Sequence, residues 1–267
     1  MAHPDSQDEP LLPPEPLPCP PGWRTGPPDF VGVGAQRCGT TWWHALLVAH
    51  PGVTFQLGLH HKEVHFFDSL AGVDPLAQDD VERYARYFAR PADGLVTGEW
   101  TPRYMHDRWP IPQIAQAAPR AKIIVMLRDP VDRYASGHAR ETRLARERGE
   151  PGIAPSMVEQ QLARGFYAAQ VEHVLETFGH ERVLMLQYEC CRTDYERELK
   201  RTYTFLGLEP SFVPAGPRTG PGEPRKRDLS DTERARLARA YAADMVRLAE
   251  IAPEVDLGLW ASLRGLV

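Results

Sequence analysis

The chain has 267 residues, 42% of them hydrophobic, which is enough to bury a substantial core in one α/β domain. A formal net charge of −5 gives no overall basic field for nucleic acid or an anionic lipid surface, so any polyanionic ligand must be held by local clusters of cations. There is no apolar run of the ~18 residues a membrane helix needs and no basic-then-apolar leader pattern. The four cysteines (Cys19, Cys38, Cys190, Cys191) lack C-x-x-C spacing. Together these features predict a cytoplasmic protein with no membrane partner, no disulfide framework and no zinc site.

Residues 1–28 hold ten of the 26 prolines and several acidic residues, and are expected to be an extended or disordered arm before a domain covering 29–267. Phe30, Val31 and Val33 predict a buried strand ending at Gly34, and residues 40–49 predict an amphipathic helix. A short strand is expected through Val53 and Thr54, irregular chain over 60–68, a helix over 79–89 and a second parallel strand over 95–100. Residues 111–118 read as a short helix ended by Pro119. KIIVML (122–127) is the clearest buried strand. A helix follows to about residue 148, with Asp129 as N-cap and Pro130 in its first turn. Further helices are expected over 156–178 and 194–206, with a strand over 182–188 between them. A loop rich in proline, glycine and basic residues fills 207–228. The last helix, over 230–249, opens on a capping box of Ser230 and Glu233. Strands alternate with helices throughout, which predicts an α/β fold: a single P-loop-like domain with a mostly parallel central sheet flanked by helices. In such a sheet ligands bind at the carboxyl ends of the strands.

Three strand ends carry chemistry. The loop after the first strand, GAQRCGTT, has Gly34, Gly39 and Thr41 where the ATP-binding pattern GxxxxGK[ST] has its glycines and hydroxyl, but Thr40 stands in place of the lysine. Strand, glycine-bounded loop and helix N-terminus together make an anion site, and Arg37 is the strong cation within it. Glycines alone also fit plain packing, the lesser reading for such a loop. At the end of KIIVML, Arg128 and Ser136, eight residues on, are placed to grip one dianion, although Arg128 could instead pair with Asp129 or Asp132. The third end is the GEWTP turn with Glu99. Histidines at 60, 61 and 65 do not form HExxH, and a zinc reading is disfavoured. No aromatic–basic stripe points to nucleic acid.

GAQRCGTTWW, KEVHFFD, GEWTP and IIVMLRDPVDRYASGHAR occur in the order and spacing of the sulfotransferases that use 3′-phosphoadenosine 5′-phosphosulfate (PAPS). The chain resembles most the branch of heparan-sulfate O-sulfotransferases and bacterial relatives, over about residues 29–260. The resemblance implies a P-loop-like fold with no metal, PAPS as co-substrate, adenosine 3′,5′-bisphosphate as product, and a small-molecule or glycan acceptor. It implies that Gln36, Arg37, Cys38, Gly39, Thr40 and Thr41 cradle the 5′-phosphosulfate and that Arg128 and Ser136 hold the 3′-phosphate. Arg225, Lys226 and Arg227 would close over the nucleotide. Glu63 of KEVHFF would be the general base, with Lys62 or His65 tuning it, and Glu99 a second acidic position. Arg37 and Trp100 stand where the family usually has lysines, so the sulfonate-stabilising cation is open, and Trp100 is expected to shape an acceptor pocket. A P-loop kinase and a non-catalytic nucleotide-binding domain are the alternatives. The modest size favours a soluble tailoring enzyme over a Golgi-type glycan enzyme. Acceptor identity and oligomeric state are not legible.

Overall fold

The computed structural model of the protein describes residues 15–54, 62–91, 94–215 and 229–266. Its first strand, β1 (Trp23–Thr25), lies inside the arm expected to lack structure. β2 (Phe30–Gly34), α1 (Thr40–Val48) and β3 (Val53–Thr54) follow as expected. After a 3₁₀ turn at Phe66–Ser69, helix α2 (Gln78–Ala85) stops short of the expected boundary. The residues behind it form β4 (Ala89–Pro91), which pairs antiparallel with β1 in a small ribbon. β5 (Val96–Trp100) leads to α3 (Tyr104–Asp107) and α4 (Pro110–Ala117). β6 (Lys122–Leu127) runs directly into α5 (Pro130–Glu147).

The stretch predicted as one helix over 156–178 is two, α6 (Pro155–Ala163) and α7 (Ala168–Phe178). The break has a packing cause. A side chain at Gly165 would lie 2.6 Å from the Tyr241 hydroxyl, and that hydroxyl donates to the Leu162 carbonyl. β7 (Val183–Gln187) is followed at once by α8 (Tyr188–Thr193), where the sequence gives no helix signal, and then by α9 (Tyr195–Leu206). The capping box opens α10 (Asp231–Ile251) as predicted, with both reciprocal hydrogen bonds formed.

The central sheet has the order β3-β5-β2-β6-β7, and every pair in it is parallel. This follows from sequence: β2, β6 and β7 are buried along almost their whole length, as strands covered by helices on both faces must be. Glycine is needed at position 32 of β2. A Cβ there would sit 2.1 Å from the Trp100 ring, so the indole of the neighbouring strand closes over the glycine. Asp129 caps α5 by accepting from the Val131 and Asp132 amides, and also takes the Ser262 amide and hydroxyl. The loop after β2, the Thr101 turn after β5, Arg128 after β6 and Tyr188 after β7 therefore come to one edge of the sheet.

Candidate active site

The loop between β2 and α1 turns sharply. Arg37 has φ 70° and Gly39 φ 93°, both left-handed, and a Cβ at Gly39 would lie 2.6 Å from the Tyr188 ring. No side chain caps α1, so the first-turn amides of that helix face the loop. The Arg37 guanidinium donates to Ser136 Oγ from both Nε (3.2 Å) and Nη2 (3.1 Å), and Arg128 Nη1 reaches the Arg37 carbonyl at 3.5 Å. The sequence reading sets Arg37 and the Arg128–Ser136 pair at opposite ends of a ligand; in the structure they form one continuous cluster. Arg128 is buried, lies 4.5 Å over the Tyr188 ring and stands 3.6 Å from Asp132. Burial, followed by the charges of Arg140, Arg128 and Arg133, pushes the Arg37 pKa down to about 10. A guanidinium pressed by other cations is a group arranged for an anion.

Glu63 is held beside this loop. Its Oε1 accepts from Lys62 Nζ at 2.6 Å and its Oε2 lies 3.1 Å from His65 Nε2; the other ring nitrogen of His65 lies 2.9 Å from Asp68 Oδ2. His65 has φ 56°, a conformation histidine tolerates better than most residues, and this aims its ring between the two carboxylates. Burial opposes ionisation of Glu63, but the charge of Lys62 and the hydrogen bond and charge of His65 outweigh it and bring its pKa down to about 2. Burial likewise opposes the His65 cation, yet its bonds to Asp68 and Glu63 raise it to about 9. Near neutrality the group is therefore a Glu63 carboxylate beside an imidazolium, with the Lys62 amine, which burial pushes down and Glu63 pulls back up, on its other oxygen. Asp68, to which the sequence reading gives no role, completes it, and Arg103 stands 3.8 Å behind.

The backbone on the far side of Glu63 is clamped to the sheet. The Val64 amide donates to Glu99 Oε2 (3.1 Å) and Thr101 Oγ1 (3.0 Å), the His65 amide to Thr101 Oγ1 (3.3 Å) and the Phe66 amide to the Tyr104 hydroxyl (2.9 Å). This corrects the expectation for Glu99. It is fully buried and takes further hydrogen bonds from Thr101, Tyr84 and Tyr104, so it braces the Glu63 segment from the interior rather than lining the cavity. Burial raises its pKa, against the bonds from Thr101, Tyr84 and Val64. Trp100 is corrected too. Its side chain is wholly buried over Gly32 with its indole N–H on the Gly34 carbonyl, so it builds the core and no acceptor pocket. The Trp100 carbonyl, however, accepts from Lys62 Nζ at 3.0 Å, which brings a cation to that strand end after all.

Among the loop residues, Thr41 is exposed, Gln36 and Arg37 are half-buried, and Thr40 is buried. Cys38 points its side chain inward, 3.6 Å from the Tyr167 hydroxyl, and burial raises its thiol to about 11, so only its backbone can serve a ligand. Gln36, Arg37, Thr40, Thr41 and Glu63 line a cavity of about 110 Å³. Pro102, Arg140 and Glu141 line it too, with Gln161 and Arg164 from the α6 region. Sequence reasoning missed Gln161 and Arg164, since α6 carries no motif. Arg225, Lys226 and Arg227, and His60 and His61, lie outside the described residues.

A model of the sulfotransferase domain matches residues 27–221, and the chain belongs to that family, an enzyme class that transfers sulfonyl groups. It is 31% identical over 214 residues to the human heparan sulfate glucosamine 3-O-sulfotransferase 6, covering 76% of this chain and 59% of the relative. It is 24% identical to mouse bifunctional heparan sulfate N-deacetylase/N-sulfotransferase 4, covering 69% of this chain and 23% of the relative. The chain thus spans well under two thirds of the length of these curated relatives. The crystal structure of a sulfotransferase from Alicyclobacillus acidocaldarius superposes with a TM-score of 0.67 at 26% identity, covering 87% of this chain and 98% of that one.

Proposed function

We propose that this protein transfers a sulfonyl group from PAPS to a hydroxyl of a small-molecule or glycan acceptor, with Glu63 as the base. The observation that carries this reading is that Glu63 lines the same cavity as Arg37 and Thr41 of the loop. The residues suit the donor. Guanidinium groups, hydroxyls and an uncapped helix N-terminus are donors for phosphate and sulfonate oxygens, and Arg37 is a crowded cation with no carboxylate hydrogen bond among the described residues. When bound, PAPS supplies an activated sulfonyl group with a phosphate leaving group.

The chain's own residues then have these tasks. The loop amides and Arg37 hold the phosphosulfate, so Arg37 exchanges Ser136 for a ligand oxygen, and Ser136 with Arg128 takes the 3′-phosphate. As the acceptor oxygen–sulfur bond forms and the sulfur–phosphate oxygen bond breaks, the acceptor proton passes to Glu63 and the electron pair leaves on the phosphate. Lys62, buried between Glu63 and the Trp100 carbonyl, is the cation that stands in for the missing lysine of the GEWTP turn. Its hydrogen bond and the His65 imidazolium keep Glu63 ionised and turned toward the cavity. A base this acidic accepts a proton only late, once the acceptor oxygen has given most of its charge to sulfur. The unpaired cysteines suit the cytoplasm expected from sequence.

Calorimetry with adenosine 3′,5′-bisphosphate, ADP and magnesium–ATP tests the donor assignment, and tracing labelled sulfonyl from PAPS tests transfer. Tightest binding is expected for the 3′-phosphorylated nucleotide. Preference for magnesium–ATP would move the protein to the kinases, and a donor that binds but never loses its label would leave only a nucleotide-binding domain.

A further inference from the structure

The wall of the cavity holds a cation that the donor does not account for. Arg164 sits at the break between α6 and α7, 7% exposed. Its Nη2 donates to the neutral amide of Gln160 at 3.1 Å, and its buried Nε has no acceptor among the described residues. The two nearest acids are already engaged, Asp107 by Arg103 at 2.5 Å and Glu141 by Arg140 at 3.0 Å. Burial, followed by the charges of Arg133 and Arg103, pushes Arg164 down to about 10, and Asp107 and Glu141 offset this only in part. A guanidinium taken out of water without a counter-ion costs several kcal/mol, and a ligand oxyanion is the compensation that this geometry lacks.

Arg164 belongs to a different element from the donor's cluster. The Arg37–Ser136–Arg128 cluster is internally linked and belongs to the β2 loop, the β6 end and the start of α5. Arg164 is instead carried at the C-terminal end of α6, where Arg133, which also weighs on Arg37, and Arg103 are the cations that press on it most. Yet Arg164 shares the cavity with Glu63, and at about 110 Å³ the space holds only a few water-sized groups. A hydroxyl brought to Glu63 therefore sits in a space that Arg164 also lines.

We infer that Arg164 is a specificity-determining residue that binds an oxyanion substituent of the acceptor, a carboxylate or a sulfate, a few bonds from the reacting hydroxyl. This rests on the sulfonyl-transfer reading only for the word acceptor; the anion site itself is independent of it. A buried charge-assisted pair contributes ~1.5–3 kcal/mol, so the acidic acceptor should be preferred over a neutral isostere by roughly tenfold to a hundredfold.

The test uses the full chain saturated with adenosine 3′,5′-bisphosphate, which keeps added anions off the loop. Arginine Nε–Hε resonances are followed by NMR while sodium sulfate or sodium acetate replaces chloride at constant ionic strength. One resonance, absent from Arg164→Gln, is expected to shift saturably at millimolar concentrations; whether sulfate or acetate moves it distinguishes the two substituents. Nucleotide affinity of Arg164→Gln should stay within about twofold of the parent if Arg164 serves the acceptor and not the donor. Should Arg164→Gln fail to fold, Arg164→Lys, which keeps charge without the fork, is expected to weaken the same titration severalfold. Matched acid and neutral acceptors, assayed with labelled PAPS, should then differ in KM at least tenfold for the parent and by less than threefold for the variant. The inference is overturned if neither anion moves the Arg164 resonance, if anion binding survives the substitution, or if nucleotide affinity falls tenfold with it. If the parent does not bind the nucleotide at all, the donor reading fails separately, and the anion titration on the ligand-free chain still decides the role of Arg164.

Discussion

Replacing Glu63 by glutamine tests the centre of the proposed chemistry with little change in shape. The amide keeps an oxygen for Lys62, now 2.6 Å from the carboxylate, but removes the charge that also faces His65 at 3.1 Å. Breaking a fully buried ion pair costs ~3–5 kcal/mol. Glu63 is 28% exposed and glutamine retains one acceptor, so a loss of about 1–2 kcal/mol is expected. For a chain of this size that lowers Tm by roughly 2–8 °C. The base itself is worth ~10²–10⁴-fold in turnover, far beyond what the lost stability explains. Transfer of labelled sulfonyl should therefore drop by about that factor, while calorimetry gives nearly the parent affinity for adenosine 3′,5′-bisphosphate. NMR titration of His65 supplies a second readout, since losing one of its two carboxylates should bring its pKa down from about 9. Turnover within about threefold of the parent, or nucleotide affinity falling as far as turnover, would refute the assignment.

Arg128→Ala should weaken adenosine 3′,5′-bisphosphate by ~10-fold or more while leaving adenosine 5′-phosphate little changed; calorimetry giving equal losses on both would detach Arg128 from the 3′-phosphate. Asp68→Asn tests the pH behaviour. Because the folded-state pKa of His65 is raised from 6.5 to about 9, its contribution to stability is complete below 6.5 and is lost as pH rises through 9. Glu63 behaves oppositely, its contribution being complete above 4.5 and lost as pH falls through about 2. The Tm gap between parent and Asp68→Asn should thus be widest near pH 5–6 and narrow above pH 9; a gap independent of pH over that range would show that Asp68 does not act through His65. Glu99→Ala strands donors from Val64, Thr101 and Tyr84 and is expected to cost about 3 kcal/mol, or roughly 6–12 °C in Tm. Glu99→Gln, which can reverse its amide against the two tyrosines, should lose less than half as much and retain transfer activity; complete inactivity of a well-folded Glu99→Gln would return Glu99 to the chemistry.

The parallel sheet was legible because β2 and β6 are continuous apolar runs and Asp129-Pro130 marks a helix start without help from tertiary contacts. β4 and α8 were not, since Ala89–Pro91 becomes a strand only by pairing with β1, and Tyr188–Thr193 follows its strand with no capping residue or turn signal. The split between α6 and α7 depends on Tyr241, a residue more than seventy positions downstream of Gly165. At the site, Glu63, Arg37 and the Arg128–Ser136 spacing could be found because they sit at strand ends or in motifs. The inward turn of Glu99 and Trp100 could not, because a side chain's facing at the end of a strand is set by what packs on it. Asp68 was visible in KEVHFFD, and its role appears only once the left-handed backbone of His65 folds the segment back on itself. Arg164 carries no local signal at all.

The break at Gly165 has a consequence for how such a protein diversifies. The Arg37 loop and the groups that clamp the Glu63 segment hang from the parallel strands, whereas Arg164 is carried by a short helix that leans on α5 and, through Leu162, on Tyr241. Exchanging that one helical segment would recast which molecules are accepted while the reacting machinery stays in register, so new substrate preferences can arise in this scaffold by changes that leave its sheet untouched.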